Sequence, residues 1–227
     1  MRWLLKLKSI KGLEKRLINF YKLRIRKNPL IVSHHQWIKD NGDITLGADY
    51  PLTKDSVVFE VGGYKGKWSQ RIVELYDPWI YIFEPVREYY EENVKRFKSN
   101  PKIFTYNFGL ADKNVVEKIA ISEDSSSIYK KGKYAQDIQL RDIADFFKDK
   151  SVSRIDLIDI NIEGGEYPLL QRMIDAGIVE KCQNIKVQFH DFVENAEQKR
   201  EEILKAFKKT HCLTYSYPFV WESWQKK

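Results

Sequence analysis

Three clusters of residues in this 227-residue chain combine side chains able to do chemistry with glycines that clear backbone space. The first is "VVFEVGGYKGKW", in which Glu60 closes an apolar run and Gly62, Gly63 and Gly66 follow it. The second is Glu84, 24 residues later, closing the apolar run "WIYIF". The third is "RIDLIDINIEGGEYPLL", with Asp159, Asn161, Glu163 and Glu166, followed by His190 at the end of "NIKVQFH". Glycines after a buried strand usually let a ligand or another backbone approach closely. Two phosphate-binding readings fail on spacing. GxxxxGK[ST] needs four residues between its glycines and a hydroxyl after its lysine, whereas Gly62 and Gly66 enclose three and Lys67 precedes Trp68. GxGxxG also fails, because the glycines read GGxxG.

What survives is an acid and a glycine turn with a second acid at the next strand end. A carboxylate there suits a ribose, whose two hydroxyls can both donate to it. With no phosphate loop, the expected ligand is a nucleoside without a pyrophosphate, and S-adenosylmethionine answers that description.

The elements that must position these residues follow from periodicity. From Ser56 the chain alternates short apolar runs with helical patterns near 67–75, 87–97, 167–176 and 196–208, the cadence of βαβ units and a parallel sheet. The expectation is an α/β fold, an open, doubly wound, mostly parallel sheet of five to seven strands. A polar insertion, "VVEKIAISEDSSSIYKKGKYAQDIQL", predicts a hairpin with a Ser-rich turn. In such sheets the ligand lies beyond the carboxyl ends of the strands, which puts Glu60 to Gly66, Glu84, Asn107 to Gly109, Asp159 to Gly165 and His190 on one rim.

Composition sets the remaining bounds. The length and 43% hydrophobic content predict one domain over residues 29–227, preceded by a distinct segment, 1–28. That segment holds ten Lys or Arg and one acid, so the net charge of +7 is concentrated there. Its apolar residues recur at three- and four-residue steps, which predicts a basic amphipathic N-terminal helix. Such a helix suits packing on its own domain, a contact between copies in a homo-oligomer, or peripheral contact with an anionic membrane surface. Without a basic-aromatic groove motif, nucleic acid is the less expected partner. Cys182 and Cys212 lack metal-type spacing and read as reduced thiols of a cytoplasmic protein. No apolar run is long enough to span a bilayer, and no cleavage-site pattern marks a signal peptide.

Over roughly residues 50–192 the sequence resembles the FkbM-type S-adenosylmethionine-dependent methyltransferases. The resemblance rests on the order of "SVVFEVGGYKGKWS", "IYIFEPVREYYEEN", Ser125 to Ser127, "IQLRDIADFF" and "RIDLIDINIEGGEYPLL". It implies a class I methyltransferase fold, Rossmann-like with a seven-stranded sheet, and methyl transfer to an oxygen. By carry-over, Glu60, Gly62, Gly63 and Gly66 border the methionine moiety and Glu84 holds the ribose. Asn107 and Asp112 flank the adenine, and Asp159 joins the cofactor set. The family's signature commonly reads Lys-x-Asp-x-Glu-Gly-x-Glu. Here Asp159 takes the Lys position and Asn161 the Asp position, while Glu163, Gly164 and Glu166 agree.

An amide cannot act as a base, so the departure at Asn161 shifts proton abstraction to His190 or Glu163. Histidine suits that role near neutral pH. A divalent metal held by Asp159, Glu163 and Asp191 is a less favoured arrangement. His34, Tyr217 and Trp221 are the candidate acceptor contacts, the aromatics by stacking on a sugar ring. The acceptor implied by the resemblance is a sugar hydroxyl, in a glycan, polysaccharide or lipopolysaccharide precursor. The alternatives are a small natural product, a nucleic acid, or a non-catalytic module that only binds the cofactor.

Overall fold

The computed structural model describes residues 29–121, 126–127 and 134–227. The basic N-terminal segment lies outside the described residues, as does the expected Ser-rich turn apart from Ser126 and Ser127.

In chain order the elements are α1 (Pro29–Lys39), α2 (Gly42–Thr45), β1 (Val57–Val61), α3 (Lys67–Tyr76), β2 (Trp79–Phe83), α4 (Arg87–Phe97) and β3 (Ile103–Tyr106). There follow β4 (Gly109–Ala111), β5 (Val115–Ile121), β6 (Ser126–Ser127), β7 (Tyr134–Asp142), α5 (Ile143–Lys150), β8 (Leu157–Ile160) and α6 (Glu166–Asp175). A 3-10 turn (Val179–Lys181), β9 (Asn184–Val187), α7 (Ala196–Thr210), β10 (His211–Tyr217) and β11 (Trp221–Lys226) complete the chain.

The main sheet has seven strands in the order β10-β11-β9-β8-β1-β2-β3. The pairs β9/β8, β8/β1, β1/β2 and β2/β3 are parallel, and β11 runs antiparallel to both of its neighbours. The strand order reverses between β1 and β8, which opens a crevice beyond their carboxyl ends. Helices cover both faces, so central strands such as β1 and β8 are apolar nearly throughout rather than alternating with polar residues.

Strand alternation divides the core in two. Phe59, Val61, Phe83, Ile158 and Ile160 face the side packed by α5, α6 and α7, through Phe146, Leu169, Leu170 and Phe207. Val58, Ile80, Ile82 and Leu157 face the other side, against Ile72, Phe97, Tyr50 and Leu52. The same alternation sends Glu60 and Asp159 to this second side. There Glu60, Asp159 and Lys186 are register neighbours across β1, β8 and β9, all buried.

The insertion forms the expected hairpin, β5 against β7, from Val115 opposite Leu140 to Ile121 opposite Tyr134. It belongs to a second sheet, β4-β7-β5-β6, whose first strand continues directly from β3. "KIFTYNFG" is therefore divided between two sheets at Asn107–Phe108. The aromatic C-terminal stretch is likewise two strands, folded at a turn where Phe219 adopts φ 63°. Among the described residues, no helix is long and apolar enough to cross a membrane.

Candidate active site

A cavity of about 430 Å3 opens at the switch point between β1 and β8. Its polar lining comes from Glu84 at the end of β2, from the loop Asn161 to Gly165 after β8, and from Asp112 and Glu117. Its apolar wall comes from Val86, Leu110, Ile119, Ile138 and Leu140, so the hairpin roofs one side.

Gly62 forms part of the lining with φ 94°, and a Cβ there would stand 2.1 Å from the Asn161 carbonyl oxygen. The loops after β1 and β8 touch at this point, and only glycine permits it. Gly62→Ala should lower stability by about 1–3 kcal/mol from backbone strain alone. Denaturant unfolding checks this, and wild-type stability in the variant would refute the close approach.

Glu84 is only 4% exposed, and both carboxyl oxygens are engaged: Oε2 accepts from Tyr64 N at 2.7 Å and Oε1 from Val86 N at 2.8 Å. Burial pushes its pKa up to about 7, against the lowering effect of those two backbone donors. Asn107 lies outside the cavity lining. Its Nδ2 donates to the Glu84 and Pro85 carbonyls at 3.2 and 3.1 Å, bracing the segment that carries Glu84. The expected direct contact by Asn107 is thus replaced by support of its neighbour, while Asp112 does line the cavity.

Asn161 lines the floor, and its Oδ1 is buried without a hydrogen-bond donor among the described residues. A ligand donor such as an ammonium would satisfy it. Glu163, also in the lining, adopts φ 52°, followed by Gly164 at φ 106°. Behind Glu163 stands His190, with Nε2 3.7 Å from Glu163 Oε1 and Nδ1 3.2 Å from Glu166 Oε1. His190 is not in the cavity lining itself, and about 10% of its side chain remains accessible. Sequence placed it on the same rim as Glu163; the structure sets it one layer deeper, within reach of that carboxylate.

Several expected site residues lie elsewhere. Glu60 accepts a 2.5 Å hydrogen bond from Ser69 Oγ beneath α3, and burial pushes its carboxyl well above the ordinary range. Asp159 is ion-paired with Lys186 Nζ at 3.0 Å. Both residues point away from the cavity because Val61 and Ile160 take the opposite face of their strands. Gly63 packs the β1 turn against Ile82, and Gly66 (φ 67°) begins α3 against Asn93; neither lines the cavity.

Tyr217 donates from its hydroxyl to Asp40 Oδ2 at 2.7 Å and meets Trp37 edge-on, pinning α1 to the sheet. Trp221 lies under Lys186 Nζ, 3.8 Å from the ring centroid. His34 is exposed on α1. None of these three reaches the cavity. Asp191 is exposed and Asp159 is tied to Lys186, so the proposed metal trio is not assembled; no three-ligand group forms among the described residues. Sequence reasoning missed Tyr64 and Tyr89, which meet edge-on at 4.5 Å in the lining, and the hairpin wall. The Asn93 amide donates to the carbonyls of both tyrosines, a link that no local sequence pattern marks.

Comparison with known proteins identifies the family and the fold. The methyltransferase FkbM domain matches residues 60–215. No curated protein sequence matches the chain. Among solved structures, a putative rRNA-methylase from Clostridium thermocellum is 11% identical with a TM-score of 0.50, the match covering 87% of this chain and 95% of that one. An rRNA methylase from Streptococcus thermophilus is 9% identical with a TM-score of 0.46, covering 77% and 89%. At such identity the first likeness speaks to fold alone, and the fold is that of the class I methyltransferases.

Proposed function

The chain belongs to the methyltransferase FkbM family, and from that premise we propose that it transfers a methyl group from S-adenosylmethionine to a sugar hydroxyl oxygen. The observation that carries this reading is one cavity lined jointly by the Glu84 carboxylate and the Asn161–Glu163 loop. The residues present suit the cofactor. Glu84 would accept from the ribose hydroxyls, Asn161 Oδ1 from the ammonium, and the wall of Val86, Leu110 and Ile138 would bury the purine. When bound, S-adenosylmethionine supplies an electrophilic methyl carbon on a sulfonium.

The chain's own contribution is alignment and proton removal. His190 Nε2, 3.7 Å behind the Glu163 carboxylate that faces the cavity, receives the acceptor's hydroxyl proton by way of that carboxylate. The imidazolium so formed lies between two carboxylates, Glu163 at 3.7 Å and Glu166 at 3.2 Å, which stabilise its charge. The β5/β7 hairpin limits the access of water from one side. Support for a sugar comes from the polar lining at Asp112, Lys113 and Glu117, suited to a hydroxyl-rich acceptor.

A transfer assay with methyl-labelled S-adenosylmethionine tests the reading, offering saccharide precursors and total RNA as separate acceptors. Label should enter the saccharide as an alkali-stable O-methyl group and spare RNA. Label in RNA alone would refute it.

Binding should also depend on pH in a definite direction. The free protein's Glu84 titrates at about 7, and hydroxyls that donate to the carboxylate favour its charged form. Below pH 7 a proton must therefore leave before the ribose is held. Affinity for S-adenosylhomocysteine should fall as pH drops from 8 to 6 in wild type, and stay flat in Glu84→Gln. Calorimetry showing tighter wild-type binding at pH 6 would contradict this assignment.

A further inference from the structure

We propose that Glu166 is a positioning residue: it holds the single proton of neutral His190 on Nδ1 and so leaves Nε2 as a bare acceptor toward Glu163. The inference rests on the reading of His190 as the base, and it concerns a carboxylate outside the cavity lining.

Glu166 is fully buried in the first turn of α6, and three nitrogens surround its carboxylate. Oε2 accepts from Gly164 N at 2.8 Å, while Oε1 accepts from His190 N at 2.8 Å and lies 3.2 Å from His190 Nδ1. An ionised carboxylate only accepts hydrogen bonds, and of the two ring nitrogens only Nδ1 is within hydrogen-bond distance of one, at 3.2 Å from Glu166 against 3.7 Å from Nε2 to Glu163, so Nδ1 is the nitrogen that carries the proton. The backbone is held as firmly as the ring, because Tyr167 Oη donates to the His190 carbonyl at 2.8 Å. Phe192 packs against the imidazole at 5.3 Å. One side chain thereby ties the loop carrying Glu163 to the strand end carrying His190 and selects the tautomer between them.

An amide cannot reproduce this. Glu166→Gln offers one oxygen for two backbone N–H groups on opposite sides of the carboxylate. With its NH2 toward His190 it donates to Nδ1 and drives the proton to Nε2, which makes the ring useless as a base. With its NH2 toward Gly164 it leaves that backbone donor unmatched beside the catalytic loop.

The test is long-range proton–nitrogen NMR on the full chain labelled with 15N-histidine, His190 being identified by the signal missing in His190→Gln. Wild type should show the Nδ1–H tautomer at the pH where the ring is neutral. Glu166→Gln should show Nε2–H or a mixture, with kcat reduced at least about a hundredfold, as expected for a base in the wrong tautomer. Its affinity for S-adenosylhomocysteine should be unchanged. A wild-type ring in the Nε2–H form overturns the proposal even if the glutamine variant does not fold, as does an unaltered tautomer in a folded variant. These spectra need no acceptor, whereas the base role stands or falls on turnover of a His190 variant, so the two failures are distinguishable.

Discussion

His190→Ala should lose methyl transfer while binding S-adenosylhomocysteine as well as wild type does. A general base positioned at the acceptor contributes about a hundred- to ten-thousand-fold in rate, and a sugar hydroxyl is too weak an acid to dispense with one. The histidine stands behind Glu163 rather than in the cavity wall, so its removal leaves Glu84, Asn161 and the apolar roof untouched. The loss should therefore appear in kcat and not in cofactor affinity. Rate measurements under saturating S-adenosylmethionine, paired with calorimetry, check both halves. If affinity falls with turnover, His190 is supporting the cofactor site. If turnover persists, Glu163, the carboxylate that does face the cavity, is the base.

Glu84→Ala should show the complementary pattern. Hydrogen bonds to a charged group contribute about 1.5–3 kcal/mol. Removal of the carboxylate should thus weaken S-adenosylhomocysteine about ten- to a hundred-and-fifty-fold. Stability and affinity should part company in Glu84→Gln. The carboxyl's pKa is raised by burial from 4.5 in the unfolded chain to about 7 in the folded one, so its ionised form opposes folding above pH 7. The neutral amide escapes that cost but offers one oxygen to two backbone donors, Tyr64 N and Val86 N, so its stability deficit against wild type should shrink as pH rises from 5 to 8, while it binds the nucleoside less well. A deficit that does not shrink with rising pH would mean that burial does not hold this carboxyl near neutrality, and unchanged affinity for the nucleoside would mean that Glu84 serves the fold through Tyr64 N and Val86 N, not the ligand.

Much of the architecture was legible because periodicity and punctuation agree. The helices expected near 87–97 and 196–208 form as Arg87–Phe97 and Ala196–Thr210, and the insertion pairs as a hairpin. The site was legible where backbone conformation marks it. The glycine turn and the Glu-Gly-Gly-Glu loop both need positive φ, and both border the cavity.

Facing was harder to read than position. Glu60 and Asp159 stand at strand ends on the correct rim. Yet alternation turns them into a buried row with Lys186, whose place opposite Asp159 depends on register between strands distant in sequence. Tyr217 and Trp221 resembled a stacking platform. The turn at Pro218 to Val220 instead folds them into an antiparallel pair, where they hold Asp40 and Lys186. Nothing in the local sequence of Glu166 shows that His190, 24 residues on, folds back onto it.

The most direct test is a crystal structure with S-adenosylhomocysteine. The account predicts both ribose hydroxyls within hydrogen-bonding distance of Glu84, the amine at Asn161 Oδ1 and the purine beneath Ile119 and Ile138. A nucleoside seated away from Glu84, or a cavity closed by its own side chains with the ligand outside, would contradict it.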